Sequence, residues 1–227
     1  MSDPRDAVER GWREMEELDS ALVAGGIDED EWYRRRQELI VPAYLAADNP
    51  RAQSGQSGDA AGWQDARGLI VEAIDRDGTL LDIGCASGHL METTQAWAQE
   101  RDFALEPYGL ELAPELVELA RTRLPEWAAR IWEGNALDWN PPHRFDFVHL
   151  QQLDYVPASR RRELVAHLLD EVCARGGRLI LGPFNELAER RETEEQVAAW
   201  GYEISGRAER PKNDEVARRV FWVDAGR

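Results

Sequence analysis

Leu80-Leu81-Asp82-Ile83-Gly84-Cys85-Ala86-Ser87-Gly88-His89-Leu90 is the stretch on which the fold turns. Its apolar start has the length of a buried strand, its small residues suit a tight turn, and Leu90 and Met91 resume in helical phase. A strand feeding a helix through such a turn presents unpaired backbone N–H groups and the positive end of a helix dipole. Nucleotide-like ligands dock at carboxyl edges of this kind. A dinucleotide fingerprint, Gly-x-Gly-x-x-Gly, would need glycine at Ala86 and at His89, so a nucleotide-binding oxidoreductase is the weaker reading. Asp82, Gly84, Ala86 and Gly88 instead satisfy the spacing acidic-x-Gly-x-Gly/Ala-x-Gly.

Working outward, short apolar runs alternate with helical patterns. Residues 65–74 read as a helix, 79–83 as the first strand and 89–101 as a helix. Strands follow at 108–112, 130–132 and 145–150, with a helix between the first two that opens at Pro114 and closes at Pro125. Ser159 suits the cap of a further helix, which Gly176-Gly177 ends before a strand at 178–181. Thr193-Glu194-Glu195-Gln196 has the form of a capping box for a helix ending at Gly201, and strand-like runs close the chain at 202–206 and 219–223. Helical crossovers between short strands imply an α/β fold with a mostly parallel sheet, made antiparallel at one edge by the C-terminal hairpin. Upstream, residues 3–24 and a segment after Asp28 form a helical hairpin that Pro42 bends or ends, and residues 48–62 read as a loop. The division expected is a helical hairpin with linker or lid at 1–62 and the ligand-binding domain at 63–227.

Composition removes several classes of function. With 43% hydrophobic residues the 227-residue chain fills a core, and no apolar run approaches the 18 residues of a membrane span. The 44 acidic against 27 basic side chains give a net charge of −17, which repels phosphate backbones and anionic membranes; neither nucleic acid nor a membrane is an expected partner. Cys85 and Cys173 make neither a disulfide framework nor a zinc cluster, and no carboxylate cluster argues for a metal. The opening Met1 to Asp6 lacks the basic-then-apolar pattern of a signal peptide, so a cytoplasmic location is expected.

The glycine-turn pattern resembles the first motif of the class I S-adenosylmethionine-dependent methyltransferases. Gly109-Leu110-Glu111-Leu112, Gly134-Asn135-Ala136, Phe145-Asp146-Phe147-Val148 and Gly176-Gly177-Arg178-Leu179-Ile180 resemble later segments of that family in order and spacing. The resemblance implies a three-layer Rossmann-like sheet with S-adenosylmethionine as cofactor, and methyl transfer to a small molecule through O, N or C. It implies that Glu111 grips the ribose hydroxyls, Asn135 and Ala136 contact adenine, and Asp82 faces the methionine ammonium. Gly84, Cys85, Ala86, Gly88, Leu112 and Gln151 complete the cofactor set so implied. A non-catalytic S-adenosylmethionine-binding protein, assembling through its N-terminal helices as a homo-oligomer, is the alternative.

For the acceptor side, His149 reads either as a satisfied core histidine or as a catalytic candidate, and Tyr155 either packs or touches substrate. Tyr44, Arg51, Gln53 and Ser54 supply an aromatic face and donors that suit a lid, or equally the polar surface of a linker.

Overall fold

In the computed structural model, which describes residues 4–56 and 58–226, seven strands form one sheet. They are β1 (Gly78–Ile83), β2 (Leu105–Glu111), β3 (Ile131–Glu133), β4 (Phe145–Leu150), β5 (Cys173–Leu187), β6 (Gly206–Pro211) and β7 (Val216–Asp224). Their order is β3-β2-β1-β4-β5-β7-β6, with the first five parallel and β7 antiparallel to both neighbours. This is the sheet of the class I methyltransferase fold, including the antiparallel C-terminal strand the sequence leads one to expect.

Burial on both faces explains why β1 reads as an unbroken apolar run. Leu80 packs with Phe147, Ile180 and Val220 under one layer of helices, while Leu81 and Ile83 pack with Val148, Leu179 and Phe221 under the other. The helices are α1 (Pro4–Val23), α2 (Glu29–Leu45), α3 (Ala60–Arg67), α4 (His89–Gln99), α5 (Pro114–Arg123), α6 (Arg161–His167) and α7 (Glu192–Ala199). None of the described helices is long and apolar enough to cross a membrane.

Several expected boundaries move, each for a local reason. Helix α2 continues through Pro42, because Val41 on one side and Tyr44 on the other pack against Ala86, Ala113 and Leu116 and hold the helix past the missing N–H. The stretch 48–62 carries a 3-10 turn at Ala52–Ser54 and the start of α3, which Asp59 caps by accepting from Gly62 N–H at 2.8 Å. Residues 68–73 then form a 3-10 turn in place of a continuous helix. Gly176 and Gly177 lie inside β5, where a side chain at Gly177 would strike the Ala174 and Phe145 carbonyls at 2.8 and 2.9 Å. Ser159 does not cap α6, whose cap position is Arg160. Nor does Thr193 cap α7, since its N–H and hydroxyl both donate to Glu186 Oε1.

Candidate functional site

The carboxyl ends of β1, β2, β3 and β4 converge on a cavity of about 180 Å3, roofed by α2 and walled on one side by α3. Asp82, Gly84, Cys85, Ala86, Glu111, Leu112, Asn135, Ala136 and Gln151 all line it, as do His149, Tyr155, Tyr44 and Ser54. The parallel order explains the convergence, because β1 sits between β2 and β4 and all three end at one edge.

Glu111 organises the turn after β1. Its carboxylate accepts from Ala86 N–H at 2.9 Å on one oxygen, and from Leu112 and Ala113 N–H at 2.8 and 3.0 Å on the other. Burial raises its pKa above the ordinary glutamate value, and these three backbone donors counter the rise. Ala86 adopts φ 46°, a left-handed conformation unusual for alanine, and its N–H points at Glu111 as a result. Oε1, with two donors, is filled, whereas Oε2, with one, keeps a lone-pair site for a further donor.

Gly84, at φ 74°, is required for a reason the motif alone does not disclose: a β-carbon there would lie 2.7 Å from Tyr155 Cε2. The Tyr155 ring therefore rests directly on the turn. Cys85 is 2% exposed and fits over Gly109, where a β-carbon would lie 2.7 Å from the cysteine sulfur. Burial, with Glu111 and Asp82 nearby, pushes the Cys85 thiol well up, which suits a filler and not a nucleophile. Gly88, expected in the cofactor set, is not among the residues lining the cavity. It starts α4 at φ 74° and gives room to Leu124, whose methyl would stand 2.6 Å from an added β-carbon.

At the end of β1 Asp82 is 3% exposed and pairs with His149, Oδ1 to Nδ1 at 2.7 Å. The other imidazole nitrogen lies 2.7 Å from Gly182 O. Both ring nitrogens are thus engaged, and His149 is a satisfied core residue with no nitrogen left for a substrate. Asp82 Oδ2 is buried with no hydrogen-bond partner, and so is Gln151 Oε1, whose amide nitrogen is held by Pro183 O. Two unpartnered acceptors at one edge of a cavity suit a group that brings several N–H donors, such as an ammonium. Asn135 closes the turn after β3, its amide oxygen accepting from Leu137 N–H at 3.1 Å, and the residue lines the cavity.

The N-terminal segment divides. Ser54 shares a 2.8 Å hydrogen bond with Ser87, which in turn donates to Pro50 O at 3.0 Å, so the 50–54 strap is fastened to the glycine turn. Arg51 and Gln53 do not line the cavity; they donate to Gly58 O and Ala47 O at 3.1 Å each and serve the strap's own shape. Residues the motifs did not point to take their place. Arg36 from α2 and Arg67 from α3 face the cavity, each laid over a tryptophan ring, Trp32 and Trp63, at 4.5 and 5.4 Å. The i, i+4 spacing of each aromatic–arginine pair is the only signal the sequence carries for them.

Residues 80–177 match the methyltransferase domain family. The matched stretch, 98 of the 227 residues, carries the sequence pattern of a methyltransferase domain. The match runs from β1 through the first residues of β5, which takes in all four strand ends of the cavity. Among solved structures similar to this chain is the N-methyltransferase NodS from Bradyrhizobium japonicum WM9, determined in complex with S-adenosyl-L-homocysteine. The TM-score is 0.61 at 14% identity, over 84% of this chain and 98% of NodS. The [4+2]-cyclase SpnF aligns with TM-score 0.58 at 16% identity, over 82% and 93% of the two chains. A methyltransferase from Aquifex aeolicus aligns with TM-score 0.56 at 13% identity, over 79% and 100%. At these identities the likeness is one of fold. No curated protein matches the sequence.

Proposed function

We propose that the cavity between the strand ends and α2 holds S-adenosylmethionine and that this methyltransferase acts on a small-molecule acceptor. One observation carries the reading: the buried, unpartnered Asp82 Oδ2 and the Glu111 carboxylate stand at adjacent strand ends on the same cavity. Glu111 accepts from the ribose hydroxyls, and Asp82 Oδ2 with Gln151 Oε1 takes the methionine ammonium. Leu112, Asn135 and Ala136 border the adenine, and Gly84, Cys85 and Ala86 form the wall along the thioether. Arg67, which makes no hydrogen bond to any described residue and has Asp82 among its charged neighbours, takes the methionine carboxylate.

When bound, the cofactor supplies an activated methyl on a sulfonium, so the protein's task is to position the acceptor and exclude water. No dedicated base is needed: burial raises the Tyr155 hydroxyl pKa well above its usual value, and both His149 nitrogens are occupied. The roof sets the scale of the acceptor. Helix α2, fixed by the cluster of Val41, Ala86, Ala113 and Leu116 and by the 2.5 Å Glu29–Arg160 ion pair, covers the space a macromolecule would enter. In this arrangement residues 1–62 are the cover and 63–227 the cofactor-binding unit, with Tyr44 and Ser54 closing the joint. Calorimetric titration with S-adenosylhomocysteine and NAD, followed by a screen of pooled metabolites with methyl-labelled cofactor, tests the proposal. Micromolar binding of the first compound alone and label transfer to a small product are expected. Tight binding without transfer to any small molecule would favour the non-catalytic alternative, and NAD binding would reject both.

A further inference from the structure

Two guanidinium groups line the cavity, and the cofactor proposed for it has a single carboxylate. Arg67, on α3 beside Asp82, is assigned to that carboxylate, which leaves Arg36 on α2 without a function. Its side chain is only 13% exposed, and its closest carboxylate oxygen, Asp19 Oδ1, is 3.9 Å away, beyond hydrogen-bond reach. That oxygen is already taken by Trp32 Nε1–H at 2.8 Å. Asp154 is the other acidic neighbour; burial raises its pKa, and no hydrogen bond joins it to Arg36. Most other described arginines near a carboxylate form closer ion pairs, as Arg123, Arg178 and Arg160 do at 2.5 to 3.1 Å. Arg36 instead has its guanidinium carbon over the ring of Trp32, itself 1% exposed, at 4.5 Å from the ring centre, and the residue lines the cavity.

Resting on the reading of the cavity given above, we infer that the methyl acceptor carries a carboxylate and that Arg36 binds it. A planar guanidinium already fixed by an aromatic face loses little freedom on pairing, and its fork matches the two oxygens of a carboxylate. Arg36 is thereby a specificity-determining residue: neutral analogues of the acceptor leave a buried cation without its partner. The tyrosines around it, Tyr33 and Tyr44 from the same helix and Tyr155 from the floor, provide flat apolar surface for the acceptor's body.

The test uses the full chain saturated with S-adenosylhomocysteine, with benzoate and benzamide as probes read by ligand-observed NMR. Benzoate is expected to bind at least tenfold more tightly than benzamide, and R36M to remove that preference while leaving S-adenosylhomocysteine affinity within twofold. A preference below tenfold, absence of binding by both probes, or a preference that survives in R36M overturns the inference. Should R36M lose S-adenosylhomocysteine binding, the benzoate-to-benzamide ratio of the unaltered protein decides alone. Failure of the unaltered protein to bind S-adenosylhomocysteine is a separate result, and it removes the cofactor site itself.

Discussion

His149 and Asp82 form a buried pair across neighbouring strands, 2.7 Å apart, with Gly182 O on the far side of the imidazole. Each side chain satisfies the other in a core that water does not reach, while the second Asp82 oxygen stays open to the cavity. Removing one partner is therefore expected to cost far more than removing both. H149F should lower unfolding free energy by about 3 to 5 kcal/mol, whereas D82N in the same background should recover part of the loss. Urea unfolding of the four proteins of the cycle measures this. Additive losses would mean that the two side chains are not coupled.

Glu111 gives a pH signature with two opposite signs. Its folded-state pKa is raised above the usual 4.5, so the fold favours its protonated form. Its contribution to stability therefore falls as pH rises through the window between 4.5 and the raised value. Affinity for S-adenosylhomocysteine runs the other way, since the ribose hydroxyls need an ionised acceptor. Affinity should weaken on acidification at pH values above the ordinary glutamate range, and E111Q should flatten that dependence. E111A should weaken binding at neutral pH by about 1 to 3 kcal/mol, with the fold retained. Titrations across pH 5 to 8 on the three proteins check both statements.

Gly84 is held by two constraints that can be separated. Alanine there meets Tyr155 Cε2 at 2.7 Å and is also strained at φ 74°. G84A should be destabilised by more than the about 1 kcal/mol expected from backbone strain alone. Y155A in the G84A background should restore the excess and leave the strain. Thermal unfolding of the single and double variants reads the difference; no recovery in the double variant would show that the ring is not what excludes a side chain.

Cys85 and Cys173 should be silent to thiol reagents in the native protein. They are 2% and 0% exposed, and burial raises both thiols, that of Cys173 to about 12. Ellman's reagent should titrate neither before unfolding and both in denaturant. Rapid native modification of Cys85 would mean that the glycine turn opens to solvent.

The strand-turn-helix at Asp82 to Gly88 and the strand β4 were legible because both carry a complete local signal, an apolar run bounded by turn residues. The C-terminal hairpin was legible only in outline. Buried Arg218 and Arg219, 6% and 4% exposed, interrupt the apolar pattern of β7, and their partners Asp65 and Glu209 come from other elements. Strand β6 alternates half-buried and exposed residues without a hydrophobic face, while Tyr202 and Ile204 just before it pack on the core outside any strand and mimic one. Arg36 and Arg67 were invisible as site residues for a related reason. Their meaning depends on which side of the cavity the helices land, and no local pattern encodes that placement.

A crystal structure with S-adenosylhomocysteine tests the central claim most directly. The ribose hydroxyls are expected within hydrogen-bond distance of Glu111, the ammonium on Asp82 Oδ2, and the sulfur facing the space beneath α2 and Arg36. The ligand bound outside this cavity, or inside it with its sugar turned away from Glu111, would contradict it.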